Sequence, residues 1–248
     1  MSIGAYGTMV LNEVYQWPLL LSIFTSVILA VIVAVIIFLS TSRAKGFYVG
    51  MASFLLAILF PKLIEALQTV TGGRSGLYFS GISAMIGDKT LYLVVIFLAT
   101  MIVTFFIWIM GTKTAKILTL ISENDKLTQA VGINTFKYKI IAYSIAGFVS
   151  GLGGALYVNY TGFISSVDIG VFTTLYIFFI PLIGGSKSFY GPIFGTLFII
   201  LIPELLVPIE RHLHIFYGLI FILVIVFFPE GITPNIQKLL KKLISKNA

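Results

Sequence analysis

Residues 18–39, PLLLSIFTSVILAVIVAVIIFL, contain no charged side chain. A bilayer has a hydrocarbon core about 30 Å thick, which a helix of roughly 20 apolar residues crosses. Backbone polar groups in lipid must be hydrogen-bonded within the segment or within a closed barrel, and this run lacks the alternating pattern of a barrel strand. The stretch therefore predicts a transmembrane α-helix.

The composition of the whole chain agrees with this prediction. Of 248 residues, 58% are hydrophobic and 10% are charged, with a mean hydropathy of +1.07. A soluble domain has about a quarter of its residues charged. The net charge of +7 comes from cations between and after the apolar runs, without the basic and aromatic surface of a nucleic-acid-binding protein. The absence of Cys excludes disulfides and thiolate metal sites.

Six further apolar segments follow the first one. They are Phe47–Leu67, Leu91–Met110, Ile140–Val158, Ile169–Ile183, Gly191–Val207 and Ile215–Phe228. We predict an all-α fold, a polytopic transmembrane helical bundle of six to seven membrane segments in a single domain, 1–248. The last three segments are short enough to be broken or re-entrant helices instead of full spans.

The distribution of cations predicts the orientation. When the segments alternate across the bilayer, one side receives most of the Lys and Arg residues, which identifies it as the cytoplasm. These are Arg43, Lys45, Lys113, Lys116, Lys126, Lys137, Lys139, Lys187, Lys238, Lys241, Lys242 and Lys246. Arg74, Lys89 and Arg211 fall on the other side. The loop 111–139 and the C-terminus are thus predicted to be cytoplasmic.

A polar island, SENDKLTQAVGINTFKYK, occupies residues 122–139 of that loop. Ser122 and Asp125 have the spacing of a capping box, and Gly132 is placed to end the helix. Leu127, Ala130 and Val131 would form one narrow apolar face. A helix of about two turns is not stable alone in water, so it needs a supporting surface. Either the membrane face of the chain itself or a groove on a cytoplasmic partner would provide that surface.

Five ordered blocks resemble the permease subunits of branched-chain amino acid ABC transporters. They are GAYGTMVL (4–11), TVTGGRSGLYF (69–79), SENDKLTQAVGINTFKYKIIAYSIAGFVSGLGGALY (122–157), IPLIGGSKSFYGPIFGTLFIILIPELL (180–206) and FYGLIFILVIVFFPEGI (216–232). The resemblance covers nearly the whole chain. Family members carry further membrane segments before the first block, so we expect either a shortened permease or a partner that supplies those helices.

The resemblance implies that the loop docks a separate ATPase subunit. Carried over by position, the coupling residues are Glu123, Ala130, Gly132, Ile133 and Asn134, and the apolar face adds Leu127 and Val131. Leu127 and Thr128 stand where the family prefers Ala, which indicates a bulkier docking helix.

The same resemblance implies the partners and the location. We expect ABC ATPase subunits that carry ATP and Mg, a second permease subunit, an extracellular solute-binding protein and the lipid bilayer of a prokaryotic plasma membrane. The chain itself is expected to bind no cofactor and to be no enzyme. Its glycine-rich stretch TGGRSGL, 71–77, lacks the Gly-Lys-Ser/Thr ending of a phosphate-binding loop.

Glycine and proline residues mark three further candidate sites. Gly72, Gly73 and Gly76 predict a turn, which the resemblance places near the outer mouth of a translocation pathway. Gly147, Gly151 and Ala155 have the four-residue spacing of a helix-packing face. Pro181, Gly184, Gly185 and Gly191 indicate either a broken helix beside the pathway or a tight hairpin.

Three charged patterns remain. Lys62 and Glu65, one turn apart, would form an ion pair whose lysine extends towards the interface, although an intramembrane ionisable pair is also a functional hypothesis. Glu210, His212 and His214 lack the helical spacing of a metal site, so we predict no metal. The segment 235–248 is an amphipathic, Lys-rich tail that would lie on the inner membrane surface.

These patterns predict the permease subunit of an ABC importer for branched-chain or similar small amino acids. The alternatives are an ABC permease for urea, an amide or a sugar, and a channel or scaffold that needs no ATPase. An intramembrane enzyme would need a nucleophile and base, or metal ligands, on facing spans, and the sequence shows no such pair.

Overall fold

The computed structural model describes residues 1–42, 47–78, 87–185 and 190–205. Its contacts group the chain into two units, Met1–Ile169 and a second unit from Gly170 onwards, which are described separately. The predicted segment Ile215–Phe228, the tail 235–248 and the two histidines lie outside the described residues. The prediction of a single domain over 1–248 stays a prediction.

The regular secondary structure in the described residues of the first unit is helical apart from one short pair of strands. A π-helical stretch, Val10–Val14, continues the first helix. In chain order the elements are α1 (Ser2–Met9), α2 (Leu19–Thr41), α3 (Phe47–Ala66), α4 (Gln68–Thr71), β1 (Leu77–Tyr78), α5 (Asp88–Met110), α6 (Lys113–Glu123), α7 (Asp125–Ala130), α8 (Thr135–Thr161) and β2 (Phe163–Ile164). The strands pair antiparallel, Leu77 with Ile164 and Tyr78 with Phe163.

Three of the described helices are long and apolar enough to cross a membrane. They are α2, α5 from Lys89 onwards, and α8, with 23, 22 and 27 residues. At 1.5 Å per residue these helices measure about 34, 33 and 40 Å, more than the roughly 30 Å of a hydrocarbon core. The predictions of an all-α polytopic membrane fold and of helices at 18–39, 91–110 and 140–158 are confirmed. The segment at 47–67 is α3, a helix of 20 residues with Pro61 inside it.

The core of this unit lies where α1 packs against both α2 and α8. Ala5, Tyr6 and Met9 of α1 are buried, together with Ile64 of α3 and Val158 of α8. A polar contact also crosses this interface: the Thr8 and Ser26 hydroxyls lie 2.7 Å apart and join α1 to α2. Helix α8 is therefore held on two sides by the N-terminal part of the chain.

The described residues of the second unit, 170–185 and 190–205, form two helices, α9 (Val171–Gly184) and α10 (Gly191–Leu205). Gly184 lies against the backbone of Gly191, and Gly195 lies against the Ile180 carbonyl, so the helices pack closely as a hairpin. The 14 residues of α9 correspond to about 21 Å, less than the hydrocarbon core. The position of this hairpin beside a translocation pathway stays a prediction.

Candidate functional site

The short helix α7 begins at a different cap from the one the sequence predicted. The Asn124 side-chain oxygen accepts a hydrogen bond from the Leu127 N–H at 3.0 Å. The capping box of Ser122 with Asp125 is wrong, because Ser122 lies inside α6 and donates its hydroxyl to the Thr119 carbonyl at 2.7 Å. Asn124 adopts an extended conformation, φ −155° and ψ 98°, which ends α6 and starts α7. Asn is as good an N-cap as Ser, so the later position prevails.

The end of α7 is a glycine turn that leads directly into α8. The Gly132 N–H donates to the Gln129 carbonyl at 2.9 Å, and Gly132 has φ +85°. Two residues later, the Asn134 side-chain oxygen accepts from the Lys137 N–H at 3.2 Å and caps α8. Gly132 therefore reverses the chain, and Asn134 starts the long membrane helix at once.

The apolar side chains of α7 face away from the rest of the chain. The exposed fractions of Leu127 and Val131 are 64% and 75%, and Ala130 is also exposed. The helix turns Thr128 inwards instead, with 5% exposure. Because these apolar side chains are exposed, they do not hold α7 against the rest of the chain. The contacts that hold it are made by its polar side chains.

Two polar contacts join α7 to the first turns of α8. The Lys139 Nζ lies 2.6 Å from the Asp125 Oδ2. The Gln129 amide donates to the Thr135 hydroxyl at 3.0 Å. Both contacts join residues before the glycine turn to residues after it. They therefore fix the angle between α7 and α8. This ion pair was not predicted from the sequence, although the opposite charges on either side of the Gly-Ile-Asn turn were a signal for it.

We expect the pair to stabilise the α7–α8 connection in a pH-dependent way. The Lys139 ammonium, hydrogen-bonded to Asp125, holds the pKa of that carboxyl below its usual value of 3.8, and the nearby Thr135 and Gln129 act in the same direction. A carboxyl with a lowered pKa in the folded state stabilises it above the usual pKa and loses that effect as the pH falls through the folded value. A spin label at Val131 should therefore become more mobile as the pH falls below about 3.8.

A charge exchange provides the control for this prediction. Asp125→Asn should remove the acid-dependent change and leave the label mobile at neutral pH as well. Asp125→Lys combined with Lys139→Asp should restore the immobile spectrum. A label whose mobility in Asp125→Asn equals that of the unsubstituted chain at pH 7 would contradict the proposed tie.

Helix α6 precedes the site and was not predicted as a helix. Its sequence, KTAKILTLISE, has Ile117, Leu118 and Ile121 at helical spacing, with Ile121 buried at 8% exposure. The Thr112 hydroxyl caps it by accepting from the Ala115 N–H at 3.4 Å. Glu123 is its last residue and is exposed, while Ile133, after the turn, is half-buried. Helices α6 and α8 thus flank α7 on both sides.

Small residues of α8 lie where other helices approach most closely. A Cβ at Gly147 would stand 2.8 Å from the Ala34 Cβ, and one at Gly151 would stand 2.7 Å from the Ala30 Cβ. A Cβ at Gly154 would overlap the Met1 carbonyl oxygen. Ala155, next to it, is completely buried. The helix attached to α7 is therefore packed backbone to backbone against α2 and α1.

The glycine-rich turn lies beyond the far end of α3. Gly72, Gly73 and Gly76 all have positive φ, between 57° and 71°. The turn is tied to the segment after α8 by the β1–β2 pairing and by a hydrogen bond from the Ser166 N–H to the Gly73 carbonyl at 3.4 Å. These hydrogen bonds hold the turn that follows α3 and α4 next to the segment that follows α8.

The Glu65 carboxylate links α3, the glycine-rich turn and the segment that follows α8. Its Oε2 lies 3.0 Å from the Lys62 Nζ, which confirms the predicted pair. Its Oε1 lies 3.4 Å from the Arg74 Nε, and the Ser166 hydroxyl donates to it at 3.2 Å. Lys62 was predicted as the partner of Glu65 from the sequence. Arg74 and Ser166 were not predicted, because they come close to Glu65 only in the folded chain.

In the second unit, the predicted helix break falls at a glycine pair. Helix α9 ends at Gly184, and the Gly185 N–H donates to the Pro181 carbonyl at 3.0 Å. Gly185 has φ +103°, which a residue with a side chain rarely adopts. Gly191 begins α10.

Comparison with known proteins places the chain in a family. The family described as branched-chain amino acid transport system, permease component, matches residues 1–228. A probable branched-chain amino acid transport permease protein, LivM, of Methanocaldococcus jannaschii is 25% identical over 238 residues, covering 88% of this chain and 68% of that relative. A high-affinity branched-chain amino acid transport system permease protein of Escherichia coli is 18% identical, covering 97% of this chain and 63% of that relative.

A third relative, the corresponding high-affinity permease protein of Salmonella typhimurium, is 19% identical over 165 residues. The chain spans 68%, 63% and 39% of the lengths of these three relatives. No solved structure matches the chain. The match over residues 1–228, together with the helices long enough to cross a membrane, establishes that this chain belongs to the branched-chain amino acid transport system permease family.

Proposed function

We propose that the chain is the membrane-spanning subunit of an ATP-binding-cassette importer that translocates branched-chain or similar small amino acids. A separate ATPase subunit docks on α7 and supplies the energy. The observation that carries this proposal is the outward exposure of Leu127 and Val131 on a helix otherwise held by polar contacts. An amphipathic helix with its apolar side free is suited to bind in a groove of a partner.

Docking at α7 would reach the membrane through α8. The Asp125–Lys139 contact and the hydrogen bond between Gln129 and Thr135 tie the two helices, so a displacement of α7 is passed to α8 instead of being absorbed in the turn. Close packing at Gly147 and Gly151 then carries the displacement to α2. Packed helices that shift as rigid bodies are a common route from an effector site to a distant one.

The remaining partners complete the proposal. ATP and Mg bind the ATPase subunit, and this chain contributes the helix that the subunit moves. A second permease subunit and an extracellular solute-binding protein complete the assembly in a prokaryotic plasma membrane, with α7 and the C-terminus on the cytoplasmic side. In the first unit, the glycine turn around Gly72 would lie near the outer mouth of the translocation pathway.

Site-specific crosslinking tests the docking, because the chain has no native Cys. Lys126→Cys places a single thiol on an exposed position of α7, and Val131→Cys places one on the exposed residue that directly follows the helix. Neither side chain caps α7 or bonds to α8 in the hydrogen bonds described above. Both should crosslink to a co-expressed ATPase subunit and should be labelled only from the cytoplasmic side. Asn124 and Gln129 are poorer positions because their side chains hold the helix in place.

Tyr92→Cys on α5 is the matched control, since Tyr92 is 59% exposed and far along the chain from α7. It should be labelled without crosslinking to the ATPase. Labelling of Val131→Cys from the outside would refute the docking proposal. Efficient uptake with α7 thiols fully modified by a bulky reagent would favour an ATPase-independent channel.

A further inference from the structure

A groove of about 470 Å³ runs between α5 and α8, which are both long and apolar enough to cross a membrane. Val95 and Ala99 of α5 and Leu152 and Leu156 of α8 form its apolar walls. Gly153 also lines it, and apart from its chain neighbours and the backbone of its own helix, no atom lies within 4 Å of the position its Cβ would take. The groove is therefore deepest where α8 has no side chain.

The two ends of the groove differ in polarity. The described stretch between α5 and α8 contains no membrane span, since α6 and α7 have 11 and 6 residues, so α5 and α8 cross the bilayer in opposite directions. Tyr92 near the start of α5 and Tyr157 and Tyr160 near the end of α8 therefore line the same end, and Ile102 and Val149 line the other. Tyrosine is enriched where hydrocarbon meets the headgroups, because its ring is apolar and its hydroxyl is polar.

The length of the groove corresponds to one leaflet of a bilayer. Tyr92 and Ile102, which line its two ends, are ten positions apart on α5. That spacing is about 15 Å along a helix, half of a hydrocarbon core of about 30 Å. A transmembrane helix of a partner would need a groove across the whole core, whereas a lipid of one leaflet needs only this half. The dimensions therefore favour a lipid.

A cation lies beyond the tyrosine end. Lys89 is exposed and precedes Tyr92 by three positions, so it continues the face of α5 that lines the groove. Helical side chains lean towards the N-terminus of their helix, so Lys89 extends away from the apolar end. The Asp168 carboxylate, in the segment after α8, accepts hydrogen bonds from the Ser165 N–H and hydroxyl at 2.8 and 2.7 Å and is thus bound within its own turn. Lysine near a membrane surface attracts lipid phosphate.

We propose that the groove between α5 and α8 binds a phospholipid, with an acyl chain lying along Gly153 and the phosphate at Lys89. The three tyrosines lie at the level of the glycerol esters, where their hydroxyls donate to ester carbonyl oxygens. Cation, tyrosines and hydrocarbon follow one another along the groove in the order of phosphate, esters and acyl chain. This inference goes beyond the proposed function and depends only on the chain lying in a membrane.

Gly153→Leu tests the acyl-chain part of the site. The new side chain would occupy the groove without a clash at its Cβ. The full chain, delipidated in detergent, is titrated with dipalmitoyl phosphatidylglycerol, and native mass spectrometry measures the one-to-one complex. We expect the affinity to fall roughly tenfold, as displacement of about two buried methylene groups predicts. Gly50→Leu on α3 is the matched control, because its Cβ is also unopposed and Gly50 does not line the groove.

Lys89→Gln tests the phosphate part of the site. The second lipid is a glucosyl diacylglycerol with the same acyl chains, which has no phosphate. The unsubstituted chain should bind the phosphatidylglycerol about fivefold more tightly than the glycolipid, which is the contribution of one lysine near a membrane surface. Lys89→Gln should remove this preference and leave the affinity for the glycolipid unchanged. Lys113→Gln, which replaces an exposed lysine at the start of α6, should keep the preference.

The two variants separate the parts of the site, since Gly153→Leu should weaken both lipids equally. Equal affinity of Gly153→Leu and the unsubstituted chain for phosphatidylglycerol would overturn the site. A preference for phosphatidylglycerol that persists in Lys89→Gln would overturn the phosphate contact and the orientation of the lipid. If a helix of another subunit occupies the groove, Ala99→Cys should crosslink to that subunit in native membranes, and this result would also overturn the inference.

Discussion

Replacement of Gly151 by Leu is expected to prevent stable folding of the first unit. Even the Cβ of the new side chain would stand 2.7 Å from the Ala30 Cβ, and the Gly4 backbone of α1 packs against the Gly151 carbonyl. Two helices would have to move apart, because neither contact involves the end of a flexible side chain. Overpacking of this kind costs about 3 kcal/mol. The measurement is the yield of monodisperse protein in detergent and its midpoint of thermal unfolding.

Gly153→Leu is the matched control for this prediction. Gly153 lies on the same helix two residues away, and apart from its chain neighbours and the backbone of its own helix, no atom lies within 4 Å of the position its Cβ would take. The same substitution there should leave yield and unfolding midpoint nearly unchanged. Equal losses for the two variants would show that the damage comes from replacing a glycine in α8 and not from close helix packing.

Replacement of Gly132 by Val is expected to abolish transport while the chain remains folded. Gly132 has φ +85°, a region that a β-branched residue avoids, with a cost of about 1–2 kcal/mol for an ordinary side chain. A steric clash is not the cause, since no atom beyond the two neighbouring residues in the chain lies within 4 Å of the added Cβ. The strain should shift the turn between α7 and α8 and so misplace the helix on which we propose that the ATPase docks. Uptake and ATP hydrolysis by the reconstituted complex are the measurements.

Gly132→Asn distinguishes backbone strain from the loss of glycine as such. Asn enters the left-handed region more readily than other residues with side chains. Gly132→Asn should retain most of the uptake, and Gly132→Val should retain very little, with ATP hydrolysis no longer stimulated by substrate. Full transport by Gly132→Val would show that the conformation of this turn is not needed for coupling to the ATPase.

The strongest sequence signals were the ones that a single helix can satisfy alone. Long apolar runs become helices in a membrane because each segment must pair its own backbone groups, which is why 18–39 and 91–110 agree so closely with α2 and α5. The Lys62–Glu65 pair is similar, because it needs only one turn of one helix. Helix α6 could also have been predicted from its apolar residues at helical spacing, but the charged residues at its ends are typical of a loop.

The N-cap of α7 was predicted wrongly because two neighbouring residues can each cap a helix. Ser122 and Asn124 are both good caps, and the sequence pattern gives each a hydrogen-bonding side chain before an acidic first turn. Asn124 is the cap because α6 extends through Ser122 before the chain turns. That extension depends on Ile121, which is buried against the rest of the unit. Packing across elements, absent from any local pattern, decided between the caps.

The sequence by itself determined that this protein lies in a membrane, is helical, and belongs with amino acid permeases, because hydropathy and ordered motifs are properties of the chain alone. Only the tertiary structure decided which face of α7 is exposed and which partners Glu65 and Asp125 have. Glu65 meets Ser166 across about a hundred positions of sequence, and Asp125 meets Lys139 across a turn. Such contacts exist only after the helices have packed, since a side chain that reaches its partner through space leaves no regular spacing in the sequence.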